Sequence, residues 1–224
     1  MSTKSSVRAE HASRKLCVVF DLDETLIHFL NNNKLSATKW DTLSDDQRNE
    51  FQYIKQTKTK NVVLFRPYLI ELFTYFKANR DKFQVGLWTY SDRGYCNEIA
   101  STISQEFKKR TGEELGEDFF LFKYGEEDIL EHDGGDNPKD LNYVYNNFPH
   151  LSNFNTFIVD DLYGNIAHEM NRENCILIPP YAPFSRNKER AALTDESLRI
   201  ALSDSALDQL KDVCNTVFRD INGC

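Results

Sequence analysis

LCVVFDLDETL, at residues 16–26, joins a run of apolar side chains to a group of carboxylates. Leu16 to Phe20 are all apolar and include two adjacent valines, which is the pattern of a strand buried on both faces of a parallel sheet. We therefore predict that these residues form an interior strand. Asp21 then lies at the carboxyl end of that strand, where parallel sheets bind ligands.

Short apolar runs recur along the chain and are separated by segments in which apolar residues have helical spacing. The predicted strands after the first are residues 61–65, 83–89, 156–159 and 175–178. This alternation predicts an α/β fold with a mostly parallel central sheet and helices on both faces.

The length of 224 residues fits one domain, because domains usually hold about 100–200 residues. Residues 1–14 are polar and aperiodic, so we expect a flexible N-terminal arm there and a single domain over 15–224. Two stretches differ in character and are predicted to be insertions, at about 31–60 and about 106–136. The first contains Ser44-Asp45-Asp46-Gln47, which has the spacing of a capping box.

The composition limits the classes of function. A formal net charge of −8 disfavours nucleic acid as a partner, because nucleic-acid phosphates are bound by clustered Lys and Arg. The five cysteines are scattered without a Cys-x-x-Cys pair, which favours the cytoplasm or another reducing intracellular compartment. We expect a soluble monomer with no standard signal peptide and no transmembrane segment.

Polar side chains follow several predicted strands at the ligand-binding edge of the sheet. Alternate side chains of an extended backbone share one side, so in Asp21-x-Asp23 one carboxylate can attack phosphorus while the other handles the leaving-group proton. Two carboxylates repel a phosphate dianion, so the site also needs a hard cation and an ammonium group. Asp160 fits the first need, and Lys139, in the first turn of a helix predicted to start at Pro138, fits the second.

Each of these segments also has an ordinary structural interpretation. The acidic residues after the first strand fit a turn, residues 88–91 fit a strand that ends at a helix cap, and Asp160-Asp161 fits a turn before Gly164. Their succession in one chain favours the chemical interpretation. The acidic run at 126–128 fits either a solvated loop or a surface for a basic substrate segment.

FDLDETLIH at residues 20–28 resembles the first motif of the haloacid-dehalogenase (HAD) phosphatases. It is similar above all to the FCP/SCP/Dullard-like branch, the NLI-interacting-factor-like protein phosphatases that act on the C-terminal tail of RNA polymerase. The resemblance spans about residues 15–180 and continues in family order through Arg66-Pro67, Leu87 to Ser91, Lys139 to Leu141, Asp160-Asp161 and Asn174 to Pro179. It implies a Rossmann-like HAD fold with small insertions near the active site.

The resemblance also implies a role for each site residue. Asp21 would be the nucleophile that forms an aspartyl-phosphate, and Asp23 would protonate the leaving oxygen and then deprotonate water. The implied phosphate-binding residues are Thr25, Thr89, Ser91 and Lys139, and Thr89 and Lys139 also count as catalytic. The implied Mg²⁺ ligands are Asp21, Asp160, the backbone carbonyl of Asp23 and, directly or through water, Asp161.

The resemblance favours a Mg²⁺-dependent phosphatase whose substrate is a phosphorylated protein or peptide. Phosphoserine or phosphothreonine and phosphotyrosine are all compatible with it, because phosphotyrosine needs only a deeper apolar approach, for which Phe29, Tyr90 and Tyr95 are candidates. Two alternatives are a small-molecule phosphatase capped by residues 31–60 or 106–136 and an inactive module that binds phosphoproteins. No cysteine is followed six residues later by an arginine, which disfavours a cysteine-based tyrosine phosphatase.

Overall fold

The computed structural model describes residues 15–31, 40, 43–55, 60–133, 139–168, 171, 173–183 and 195–223. The predicted N-terminal arm at 1–14 lies outside these residues, and so does Pro138, the predicted start of a helix. The assignment of residues 15–224 to a single domain stays a prediction.

A parallel sheet forms the centre of the molecule. In chain order the strands are β1 (Leu16–Phe20), β2 (Ile27–Leu30), β3 (Tyr53–Lys55), β4 (Val62–Phe65), β5 (Phe83–Trp88), β6 (Phe120–Tyr124), β7 (Thr156–Asp160) and β8 (Cys175–Leu177). Five of them form one sheet in the order β6-β5-β1-β7-β8, and every neighbouring pair is parallel. The predicted α/β architecture is thus confirmed, and β1 is its middle strand.

Helices pack on both faces of this sheet. In chain order, the helices of the described residues are α1 (Asp45–Asn49), α2 (Leu69–Ala78), α3 (Arg93–Thr111), α4 (Glu126–Asp133), α5 (Leu141–Asn147), α6 (Tyr163–Ile166), α7 (Asp195–Leu202) and α8 (Ala206–Asn222). Successive strand residues point to opposite faces. Val18 therefore packs in a cluster with residues of α2, α3 and α8, whereas Val19 packs in another with residues of α5. Among the described residues, no helix has both the length and the apolar composition to span a bilayer.

A second, three-stranded sheet has antiparallel pairs in the order β2-β4-β3. The predicted strand at 61–65 is β4 and belongs to this sheet, not to the parallel one. Its four residues are buried and apolar, a pattern that is the same in either kind of sheet. β3 and α1, whose capping box at Ser44 is confirmed, lie in the stretch predicted as the first insertion.

The described part of the stretch predicted as the second insertion, residues 106–133, includes elements of the central fold. Its first residues continue α3 to Thr111, and β6 then pairs with β5 as an edge strand of the central sheet. Gly112 ends α3 with a φ of 75°, a left-handed conformation that favours glycine. Only the short run FFLF at 119–122 has a strand pattern, so the charged and glycine-rich residues before it concealed the edge strand.

The central sheet leaves no room for a side chain at Gly86 in β5. A Cβ atom there would lie 2.3 Å from Cζ of Phe122 on β6. We predict that Gly86→Ala lowers the free energy of unfolding by about 1–3 kcal/mol, because an overpacked core must shift side chains and backbone. Urea unfolding followed by circular dichroism measures this change.

Gly164→Ala is the matched control, since a Cβ atom at Gly164 meets nothing within 4 Å. We expect its free energy of unfolding to stay within about 0.5 kcal/mol of that of the unmodified protein. Equal losses in the two variants would contradict the steric explanation at Gly86.

Candidate active site

The end of β1 places Asp21 in the middle of the carboxyl edge of the sheet. Its N–H donates to the carbonyl of Val159 on β7 at 3.0 Å, and its side chain is buried. The chain then turns sharply, so that the N–H of Leu26 donates to the carbonyl of Leu22. Glu24, inside the turn, has a φ of 62°, which is uncommon for a residue other than glycine. The turn keeps the residues after Asp21 at the same edge.

Lys139 places a fully buried ammonium group between two carboxylates. Its Nζ donates to Oδ1 of Asp21 at 2.6 Å and to Oδ2 of Asp160 at 2.8 Å. Its N–H donates to the carbonyl of Asn165 at 2.7 Å, which holds the backbone in place. Burial lowers the pKa of Lys139, but the two carboxylates raise it by more, so the net shift is upward and the ammonium stays charged.

The prediction that Lys139 lies in the first turn of a helix was wrong. α5 begins at Leu141, and its N-cap is Asp140, whose side chain accepts a hydrogen bond from the N–H of Asn142. Aspartate is among the preferred N-cap residues because its carboxylate satisfies an N–H group at the helix start. Lys139 therefore lies on the segment before the helix.

Asp160 and Asp161 complete a group of three carboxylates with Asp21. Asp160 ends β7, is fully buried, and accepts a hydrogen bond from the N–H of Leu162 at 2.8 Å. Asp161 accepts one from the hydroxyl of Thr25 at 3.2 Å, and burial raises the pKa of Asp161 to about 6. The three carboxylates each offer an oxygen within 4.8 Å of the others. Such an oxygen-only set fits a hard cation such as Mg²⁺.

The end of β5 brings the predicted site residues Thr89 and Ser91 to the same edge of the sheet. Thr89 is buried, and its N–H donates to the carbonyl of Tyr124 on β6 at 3.1 Å. Its hydroxyl accepts a hydrogen bond from the N–H of Ser91 at 3.1 Å. The ring centroid of Tyr90 lies 5.5 Å from Nζ of Lys139, within the range of a cation–π contact. The segment that carries Thr89 and Ser91 therefore lies next to the ammonium group of Lys139.

Asp23 lies in a different environment from Asp21. Its side chain is half-buried, and its Oδ1 accepts a hydrogen bond from the hydroxyl of Tyr95 at 2.5 Å. Burial raises the pKa of Asp23, and the Tyr95 hydrogen bond partly opposes this. The Asp23 side chain is not part of the three-carboxylate group, and its metal contact through the backbone carbonyl stays a prediction. Sequence reasoning considered Tyr95 only as an apolar lining residue and missed this bond.

Arg66 connects the turn after β1 to the C-terminal part of the chain. Its fully buried guanidinium donates to both carboxylate oxygens of Asp204, at 3.0 and 2.8 Å. It also donates to the carbonyls of Thr25 at 3.1 Å and Pro179 at 2.7 Å. The sequence indicated Arg66 only as part of a motif, and no signal pointed to Asp204.

Removing the Asp204 carboxylate would leave the charge of Arg66 buried without its partner. We predict that Asp204→Ala lowers the free energy of unfolding by about 3 kcal/mol, because breaking a buried ion pair strands the remaining charge. Asp118→Ala is the control, since the Arg80–Asp118 pair is largely exposed and solvent screening makes such pairs contribute little to stability. Urea denaturation compares the two, and a loss at Asp204 no larger than at Asp118 would disprove the argument.

Three buried cysteines are poorly suited to nucleophilic catalysis. Burial raises the pKa of the thiols of Cys17, Cys96 and Cys214 to about 12. A thiol with such a pKa is protonated at neutral pH and is a poor nucleophile. This agrees with the absence from the sequence of a cysteine-based phosphatase loop.

Asp21 follows the first strand of the parallel sheet, and Lys139, Asp160 and Asp161 lie at the same edge. This is the architecture of a HAD-type phosphatase. The family model for NLI interacting factor-like phosphatases matches residues 16–213. The chain therefore belongs to the NLI interacting factor-like phosphatase family.

Two solved structures share the fold of this chain. Both are of the RNA polymerase II CTD phosphatase Fcp1, one of them the fission yeast protein in a variant bound to beryllium fluoride. Each is 16% identical in sequence to this chain, with a TM-score of 0.50. The match to the fission yeast variant covers 94% of this chain and 52% of the Fcp1 chain, and the other match covers 90% and 51%. The chain thus spans about half the length of each Fcp1 chain, and the likeness is one of fold. A comparison with curated proteins found no match.

Proposed function

We propose that the protein is a Mg²⁺-dependent protein phosphatase that hydrolyses phosphomonoesters through an aspartyl-phosphate on Asp21. The observation that carries this proposal is the buried contact of Nζ of Lys139 with Asp21 at 2.6 Å and with Asp160 at 2.8 Å. An ammonium group in this place favours the ionised, nucleophilic form of Asp21 and also attracts the phosphoryl group.

Asp21 must be ionised to attack phosphorus. Its surroundings together raise the pKa of Asp21 to about 7: burial is the largest cause, the charge of Lys139 lowers the pKa, and the charge of Asp160 raises it. Lys139 therefore supports the attack in two ways, because it stabilises the nucleophile and neutralises part of the charge on the substrate.

Asp23 is suited to the two proton transfers of this mechanism. In the first step an oxygen of Asp21 bonds to phosphorus, the bond from phosphorus to the ester oxygen breaks, and Asp23 donates a proton to that oxygen. In the second step a water oxygen bonds to phosphorus, Asp23 accepts a proton from the water, and the bond from phosphorus to Asp21 breaks. Burial raises the pKa of Asp23, which favours the protonated form that the first step needs.

The other site residues bind charged groups in this proposal. The Mg²⁺ ligands would be Asp21, Asp160, Asp161 and the backbone carbonyl of Asp23. When bound, Mg²⁺ offsets the negative charge that the carboxylates and the phosphoryl group bring together. The ligands of the phosphoryl oxygens would be Thr25, Thr89, Ser91 and Lys139. Thr25 also holds Asp161 through the hydrogen bond from its hydroxyl.

Hydrolysis of p-nitrophenyl phosphate tests the mechanism. We expect activity with Mg²⁺, its loss in EDTA and its recovery when Mg²⁺ is restored. Asp21→Asn should lower kcat by about 1,000-fold or more, because it removes the nucleophile. Asp118→Asn, a change at an exposed carboxylate, is the control and should keep full activity. Full activity of Asp21→Asn, or in EDTA, would overturn the proposal.

The surroundings of the site favour a peptide as the substrate. Leu162 and Tyr163, which directly follow Asp161, have exposed fractions of 57% and 63%, and Tyr90 beside Lys139 is 39% exposed. Apolar side chains at the mouth of a phosphate site complement the neighbours of a phosphorylated residue in a protein better than the hydroxyl groups of a sugar.

A panel of substrates tests whether the substrate is a peptide and which phosphorylated amino acid the enzyme prefers. We expect kcat/KM to be higher for phosphopeptides than for sugar phosphates, because a peptide buries these apolar side chains on binding. The panel holds phosphoserine, phosphothreonine and phosphotyrosine in matched peptides, with Asp21→Asn as the background control. A higher kcat/KM for sugar phosphates would replace the proposal with a small-molecule phosphatase.

A further inference from the structure

The hydroxyl of Tyr95 donates a hydrogen bond to Oδ1 of Asp23 at 2.5 Å. A tyrosine hydroxyl has an ordinary pKa of about 10, so near neutral pH it is protonated and acts as the donor to a carboxylate. Oδ1 of Asp23 is therefore occupied as an acceptor. The oxygen that remains to carry a proton towards a substrate is Oδ2.

Tyr95 is itself held at two points. It lies in the first turn of α3, where its N–H donates to the side chain of the N-cap residue Asp92 at 2.8 Å. Its ring packs edge-on against the ring of Phe29 on β2, with the centroids 5.5 Å apart and an interplanar angle of 85°. A donor held both at its backbone and at its ring can fix the orientation of its acceptor.

We propose that Tyr95 is a positioning residue that orients Asp23 for proton transfer to the leaving group. The inference rests on the proposed function, in which Asp23 is the general acid. The carboxyl group of an aspartate rotates about its last side-chain bond over a broad range. The hydrogen bond to Oδ1 limits this rotation and keeps Oδ2 directed to one place. Proton transfer in the transition state depends on this geometry.

The leaving-group dependence of kcat/KM tests the proposal in Tyr95→Phe, which keeps the ring and removes the hydroxyl. The substrates are para-substituted phenyl phosphates, which have similar shapes but leaving groups of different basicity. We expect kcat/KM to stay within about 2-fold for p-nitrophenyl phosphate, whose leaving group needs little protonation, and to fall about 10-fold for phenyl phosphate, whose leaving group needs more. The plot of log kcat/KM against leaving-group pKa then becomes steeper.

This slope separates positioning from other roles of Tyr95. Loss of a substrate contact or of folded protein lowers kcat/KM by the same factor for every substrate, so it shifts the plot without changing its slope. Tyr75→Phe is the matched control, because Tyr75 also donates its hydroxyl hydrogen bond to a side chain, that of Asn215, but on the packed surface between α2 and α8. We expect the slope of Tyr75→Phe to equal that of the unmodified protein.

A second pair of variants tests whether the change of slope in Tyr95→Phe acts through Asp23. Asp23→Asn alone should steepen the slope further, and adding Tyr95→Phe to it should change the slope no more, because the acid that Tyr95 orients is then absent. An unchanged slope in Tyr95→Phe, or a further change in the double variant, would overturn the positioning role. These results leave the proposed function intact as long as Asp21→Asn is inactive, so the two failures are distinguishable.

Discussion

The candidate active site depends on the buried contact of the Lys139 ammonium with Asp21 and Asp160. An unpaired buried charge is strongly unfavourable, so none of these three groups is stable in its place without the others. Asp21 follows β1, Asp160 ends β7, and Lys139 precedes α5. The contact forms only when these three parts of the fold meet. The parallel pairing of β1 with β7 brings the two carboxylates side by side, so forming the sheet also forms the site.

Side chains outside the candidate site hold its backbone in place. Asn171, which is fully buried, donates to the carbonyl of Lys139 and accepts from the N–H of Leu141, and so it connects the lysine to the start of α5. On the other side of Asp21, Arg66 holds the carbonyl of Thr25 and pairs with Asp204. These bonds run between segments far apart in the chain. Residues outside the site therefore help to hold the backbone of Lys139 and of the turn after Asp21 in place.

The difference between local patterns and contacts of residues far apart in the chain explains what the sequence could predict. The apolar run before Asp21 and the alternation of strand and helix are local patterns, and they predicted the parallel sheet and the edge at which Asp21, Lys139 and Asp160 meet. The bonds of Tyr95 and Asp204 join residues 72 and 138 positions apart, and no periodicity records such pairs. The sheet to which β4 belongs was concealed for a related reason, since a short apolar run fits a parallel or an antiparallel neighbour equally well.

The charges of the carboxylates and of Lys139 connect the geometry of the site to the proposed phosphoryl transfer. The group of three carboxylates from Asp21, Asp160 and Asp161 includes two that contact the ammonium of Lys139, so when fully ionised these four groups hold two negative charges in excess. Burial makes this excess costly, and a divalent cation would cancel it while Lys139 stays available to the phosphoryl group. Asp23 faces the neutral hydroxyl of Tyr95 instead of an ammonium group. Asp21 and Asp23, two residues apart, thus have different partners: the ammonium group of Lys139 favours the ionised form of Asp21, whereas burial raises the pKa of Asp23, and this difference suits the separate roles proposed for them.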